Sequence, residues 1–430
     1  MSKRTARQAT TITSGDLGAR TRGPRSSSAL PDDFRRFWVA AAVSNLGDGI
    51  RLAALPLLAI ELTDDSRLIA GVTAASFLPW LLLGPVAGAV VDRHDRRILM
   101  LAGQICRCVA AIGLATSVSA GRANIAILYA AALVISAGET IVDSAAQSAI
   151  PHLVDDKGQL ERANGQLTIA ENLFNDVVGV ALGAAIFARA SSVPFYVDAA
   201  TFALGAAFLS TIRRPLQGAP RASKSLRADV VEGMRYLLQH KFLRPLALSV
   251  ATTNLALHMG LGVMVVLVVN GIGASKAAYG TILAVGAAGG VIGSLVAGRL
   301  SERFGAQRVL ALTHAPFIAG AAITALATRA WIVSLAFAMS SFALVVYQIP
   351  SRTMRHRVTP DHLLGRVVGA FRVFGLGGPV LGAPIGGVIA HAAGVRWTFA
   401  ASAAVMMLAW SLVWIALREY EPELETCCAT

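Results

Sequence analysis

Six acidic residues lie inside apolar stretches of this chain: Asp48, Glu139, Asp143, Glu171, Asp176 and Asp198. A charge at the centre of a bilayer costs at least about 2.5–3.5 kcal/mol on insertion scales, so such groups point to proton carriage, ion pairing or substrate contact. Asp48 and Arg51, three residues apart, share a helical face midway along the first stretch and read as an internal pair or a proton site. Asp176 sits at similar depth in the fifth. Glu139 and Asp143 share a face of the fourth, and Arg107 lies midway along the third, as a partner for Asp143 or Glu171 or as a substrate contact. Glu171, Asp143 and Arg372 fall nearer a membrane surface, where long side chains reach water, and Arg372 has no acid nearby in sequence. Asp198 reads as an interfacial anchor near the end of the sixth stretch. All six acids belong to the first half, which places a proton site there.

Other chemistries lack their residues. There is no GxxxxGK[ST] phosphate loop, no GxSxG nucleophile and no Cys/His set at metal-ligand spacing, so ATP hydrolysis, covalent catalysis and a resident metal are not expected. Cys106 and Cys108 lie in a span and Cys427 and Cys428 near the C-terminus, and no disulfide is expected. The expected protein is not an enzyme, has no cofactor, and draws its energy from a proton gradient.

The elements that position these charges follow from composition. With 55% hydrophobic residues, 15% charged residues and a mean hydropathy of +0.60, a soluble fold would lack polar surface. Hydrocarbon about 30 Å thick needs roughly 20 apolar residues per helix. Twelve such stretches follow one another, from 36–62 to 395–417. The predicted fold class is an all-α membrane protein of two six-helix bundles.

The net charge of +13 is a topology signal rather than a nucleic-acid footprint. Lys and Arg concentrate in alternate connections: around Arg93, Arg96 and Arg97, from Arg213 to Arg244, around Arg299 and Arg303, and around Arg352 and Arg357. Basic loops stay in the cytoplasm, which puts both termini there in a multi-pass inner-membrane protein. The predicted organisation is a disordered basic tail (1–33), an N-terminal bundle (34–212), a cytoplasmic linker (213–241), a C-terminal bundle (242–417) and a short tail (418–430). Within the linker, Leu226 to Gln239 has the pattern of an amphipathic surface helix.

The halves repeat. GAVVDRHDRR over 88–97 closes the second stretch and GRLSERFGAQR over 298–308 closes the eighth; GVALGAAI at 179–186 matches GPVLGAPI at 378–385. The first loop reads as a latch: Gly88 permits close helix approach, Asp92 lies near the positive end of the next helix, and Arg93, Arg96 and Arg97 pair with acids across the bundle interface.

That loop resembles the Gly-x-x-x-Asp-Arg-x-Gly-Arg-Arg signature of the major facilitator superfamily, and its echo at Gly298, Arg303 and Gly305 resembles the second-half copy. SNLGDG at 44–49, ALP at 54–56, ANG at 163–165 and GRV at 365–367 resemble the macrolide-efflux and enterobactin-export branch. Asp95 stands where the superfamily loop has Gly, and Val180 replaces the Pro of the proton-antiporter motif. The resemblance implies a secondary active exporter of small hydrophobic or amphipathic molecules, working by proton antiport and alternating access, with multidrug resistance as its phenotype. The alternatives are a lysophospholipid flippase of the same fold and a non-transporting receptor. The expected partners are a small-molecule substrate and the bilayer, with no nucleic acid, in a monomer.

Overall fold

A computed structural model describes residues 30–154, 157–217 and 226–420; most of both tails lies outside these residues. The described residues form thirteen long helices: α1 (Asp32–Leu62), α2 (Ser66–Arg93), α3 (Arg96–Ser119), α4 (Ile125–Leu153), α5 (Gly158–Phe187), α6 (Val193–Ser210), α7 (Leu226–Gln239), α8 (Leu243–Gly271), α9 (Lys276–Phe304), α10 (Ala306–Leu326), α11 (Ala330–Arg357), α12 (Asp361–Ala393) and α13 (Val395–Arg418). All except α7 are long and apolar enough to span a membrane, which gives twelve.

Local sequence explains where the helices start and stop. Asp65 caps α2 by accepting from the Arg67 amide at 2.9 Å, and Asn124 caps α4 through the Ile127 amide at 3.0 Å. α9 and α10 are divided at Gly305, and α12 and α13 at Gly394, both at positive φ that a side chain would strain. Within α5, Glu171–Gly179 widens into a π-helical stretch, a distortion often found at functional sites, and here it carries both Glu171 and Asp176.

Helices α1–α6 form one bundle and α8–α13 the other. They meet along two related seams, α2 against α12 and α5 against α9. At the end bearing Leu62 and Lys276 a single buried core joins them, with Leu58, Ile69, Ala184 and Phe187 packed with Val263, Tyr279, Ile282 and Phe399. At the basic end the bundles have separate cores: Phe34, Phe37, Met100 and Leu153 in one, Leu237, Phe242, Met354 and Val413 in the other. The molecule is therefore closed at the Lys276 end and parted at the basic end.

Candidate functional site

Gly47 is where α1 and α6 touch. A Cβ there would stand 1.9 Å from Thr201 Oγ1 and 2.6 Å from Asp198 Oδ1, so only glycine lets Asp198 reach the charged face of α1. The next residue of α1, Asp48, accepts from two arginines: Arg51 Nη2 at 2.8 Å and Arg107 of α3. Arg51 also donates to Glu139 Oε2 of α4 at 2.8 Å, and its Nε lies 3.6 Å from Asp198 Oδ2. Arg107 Nη2 is 3.8 Å from Glu139, and its guanidinium stacks on Phe202 at 4.0 Å. Arg107 fits because Gly138 faces its stem, leaving the space a Cβ would fill. Ser44 and Gln104 complete the setting: Gln104 Nε2 donates to Ser44 Oγ at 3.2 Å, and Arg107 Nη1 to the same oxygen at 3.3 Å.

This cluster draws on four helices of the N-terminal bundle. Asp48, Arg51, Arg107 and Asp198 are all buried. Two guanidinium groups face three carboxyl groups, so the cluster is neutral only when one carboxyl holds a proton; an uncompensated buried charge is costly. Neither oxygen of Asp198 accepts a hydrogen bond, and Arg51 Nε and Arg107 Nε also lack partners. The ionic network is therefore crowded yet incompletely satisfied.

Cavities lie on both sides. A central one of about 600 Å³ runs between the bundles, lined by Leu52, Phe77, Asp176, His258, Tyr279 and Gln348 among others. A smaller hollow of about 340 Å³ shares Leu52, Phe77 and Asp176 with it and reaches Arg51 and Glu139. On the other side, a cavity of about 440 Å³ inside the N-terminal bundle is lined by Asp48, Gln104, Asp143 and Glu171. The carboxyls thus form a file from Glu171 and Asp143 through the cluster to the central cavity.

Of the residues singled out in the sequence, Asp48, Arg51, Arg107 and Glu139 come together. Asp143 and Glu171 line the inner cavity, and Asp176 lines the central one, held by Asn175 Nδ2 at 2.9 Å. Arg372 stands apart on the α2–α12 seam, its guanidinium 5.5 Å from the Trp80 ring. Two expectations are corrected, and one residue is added. Asp198 is fully buried in the cluster rather than anchored at an interface, because its helical face turns toward Gly47. Arg107 pairs with Asp48, not with Asp143 or Glu171. His258 lines the central cavity, its Nδ1–H donating to the Asn254 carbonyl at 2.9 Å.

The loop after α2 is corrected too. Asp95, not Asp92, caps α3, accepting from the Arg97 and Ile98 amides at 2.8 and 3.2 Å. Arg96 donates to the Leu216 carbonyl at 2.7 Å and Arg97 to that of Ser210, so they brace their own bundle instead of crossing to the other. Asp92 and Arg93 are exposed, and Asp92 has no ion-pair partner among the described residues. Gly88 faces open space, as does Gly298 in the second copy, where Arg303 stacks near Phe304 and Gly305 turns the chain. Ser44, Gln104 and the pairing of Glu61 with Lys276 across the closed end were not foreseen. Glu61 carries a signal in its place on the last turn of an apolar helix.

Two six-helix bundles around a central cavity, with buried charges beside it, define a membrane transporter of the major facilitator superfamily. Within it the chain belongs to the transmembrane secretion effector family, whose sequence model matches residues 28–427. It is similar to the multidrug efflux pump Tap of Mycolicibacterium fortuitum, 27% identical over 390 residues, which cover 86% of this chain and 92% of that one. It is also similar to the uncharacterized MFS-type transporter YfiS of Bacillus subtilis, 27% identical over 372 residues, covering 83% and 86%. Among solved structures, a bacterial homologue of the iron transporter ferroportin in its inward-facing state superposes with a TM-score of 0.73 at 15% identity, over 90% of this chain and 98% of that one. The relatives and the fold are those of transporters, not enzymes.

Proposed function

We propose that this protein exports small hydrophobic or amphipathic organic molecules across the cytoplasmic membrane in exchange for protons, with both termini in the cytoplasm. The observation that carries the reading is the mostly apolar central cavity, beside a buried cluster with one more carboxyl than guanidinium. Apolar walls favour a substrate by removing its apolar surface from water, and Asp176 supplies a polar contact within them. The name of the Tap relative, a multidrug efflux pump, supports the same reading.

The chain's own residues supply the steps. With the basic end parted, substrate enters from the cytoplasm between α5 and α9. A proton on the cluster neutralises its excess carboxyl; its loss leaves a net negative charge that favours rearrangement or a cationic neighbour. The closed end is held by apolar packing and by the Lys276–Glu61 pair, and opening it requires α2 to part from α12 and α5 from α9. One chain contains both bundles and the pathway, so a monomer suffices. The test is a drug-resistance panel in an efflux-deficient host: expression should raise resistance to amphipathic compounds, and a Glu139→Gln variant present at equal level should not. An unchanged panel would refute drug export.

A further inference from the structure

The α2–α12 seam holds a separate hollow of about 350 Å³, lined by Trp80 and Gly84 of α2, by Gly369, Arg372 and Leu376 of α12, and by Val230 of α7 at its edge. It is open space rather than packing: a Cβ built at Gly84, Gly365 or Gly369 meets no atom within 4 Å. Among the described residues, its one uncompensated charge is Arg372. Arg366, about 9 Å nearer the end of the same helix, lies 2.7 Å from Glu232 of α7, whereas Arg372 has no acidic partner among the described residues. Its guanidinium instead lies over the Trp80 indole, at 5.5 Å from the ring centre.

The position matters. Arg372 is eleven residues into α12, about 17 Å along the helix from Asp361, and Trp80 is thirteen residues from the Arg93 end of α2, about 20 Å. An arginine within a span is ordinarily paired with an acid or reaches toward headgroups. Beside this one, the surface is apolar and exposed: Leu82, Leu83 and Val86 on α2, and Val231 on α7. A cation on an aromatic platform, flanked by an exposed apolar strip, matches a ligand with an anionic head and acyl chains.

We propose that this hollow binds an anionic phospholipid from the leaflet at the basic end, with its phosphate on Arg372 and its chains along α2. The guanidinium presents parallel N–H donors suited to phosphate oxygens, and Trp80 holds it in place. A lipid seated there touches both bundles at the seam that must open, so its binding differs between the two states.

The test uses the full chain in phosphatidylcholine nanodiscs, with phosphatidylglycerol brominated in its acyl chains as the probe. Quenching of Trp80 is isolated by subtracting the Trp80→Phe variant, since the chain has six tryptophans. Brominated phosphatidylglycerol should quench Trp80 at about tenfold lower mole fraction than brominated phosphatidylcholine. Arg372→Gln should abolish that difference and Arg372→Lys should keep part of it. Gly369→Leu, which fills the hollow while keeping the arginine's charge, should also abolish it, and keeps the test decisive if Arg372→Gln fails to fold. Equal quenching by the two lipids, or a preference unchanged in Arg372→Gln and Gly369→Leu, would overturn the proposal. Displacement of the lipid by soluble glycerol phosphate would overturn it in favour of a site for a free anion.

Discussion

Arg51 and Asp198 come from different helices and stand 3.6 Å apart without a hydrogen bond between them, because Arg51 directs its Nη2 protons to Asp48 and Glu139 instead. Asp198 is the buried acid the network leaves least satisfied. Asp48, which accepts from two arginines, is the most satisfied.

That contrast predicts unequal effects on stability. Asp48→Asn removes the acid shared by two buried guanidinium groups and should cost about 3–5 kcal/mol, seen as a large drop in thermal midpoint in detergent. Asp198→Asn keeps shape and volume and removes no hydrogen bond, so it should cost less than about 1 kcal/mol. Equal destabilisation by both would mean that Asp48 does not bridge the arginines.

The closed end depends on Gly280. A Cβ there would lie 2.2 Å from that of Ala184 across the α5–α9 seam. Gly280→Leu should disfavour the closed end by about 1–3 kcal/mol, the usual cost of overpacking. With native cysteines replaced, a cysteine at Gln348, which lines the central cavity, should then react more slowly with an impermeant thiol reagent added from the basic end. An unchanged rate would show that the seam does not control access.

Asp92 is exposed and unpaired in this conformation among the described residues, so Asp92→Asn should change its stability by less than about 0.5 kcal/mol. A partner gained only when the basic end closes would be worth about 1.5–3 kcal/mol, and losing it should slow transport roughly tenfold or more. A normal transport rate in Asp92→Asn would limit its role to topology.

Outside the spans, the Arg67 guanidinium and amide hold the Asp65 carboxyl down to about 2, from 3.8. A depressed carboxyl stabilises the fold above its ordinary value, and that contribution is lost only as pH falls through about 2. Asp65 therefore stays ionised across neutral pH, and Asp65→Asn should leave the pH profile of transport between about pH 5 and pH 8 unmoved. A shifted profile would place Asp65 in the coupling machinery.

Much of the fold is legible in the sequence, because twenty-residue apolar runs have few other uses and the duplicated Gly88 and Gly298 loops mark two halves. Asp48 with Arg51 is legible too, since both lie on one helical face. What spacing along one helix cannot give is rotation about its axis. Asp198 near the start of α6 therefore reads as surface until Gly47, far away in sequence, shows which face is turned inward. Arg107 finds Asp48 rather than Asp143 for the same reason, through the crossing of α3 and α4 at Gly138. The Gly88 loop misleads because caps are set by backbone geometry: Asp95 immediately precedes α3, whereas Asp92 is still within the last turn of α2.

In the proposed exchange, the excess carboxyl of the cluster carries the coupled proton. That role is tested most directly by uptake of a resistance-panel substrate into inverted vesicles, with and without an imposed proton gradient, for wild type, Asp198→Asn and Glu139→Gln. Each amide leaves two carboxyls facing two guanidinium groups, so the cluster is neutral without a proton. Both variants should lose gradient-driven accumulation by at least about tenfold, at any pH, while gradient-independent exchange persists. Accumulation at the wild-type level in both would contradict the account.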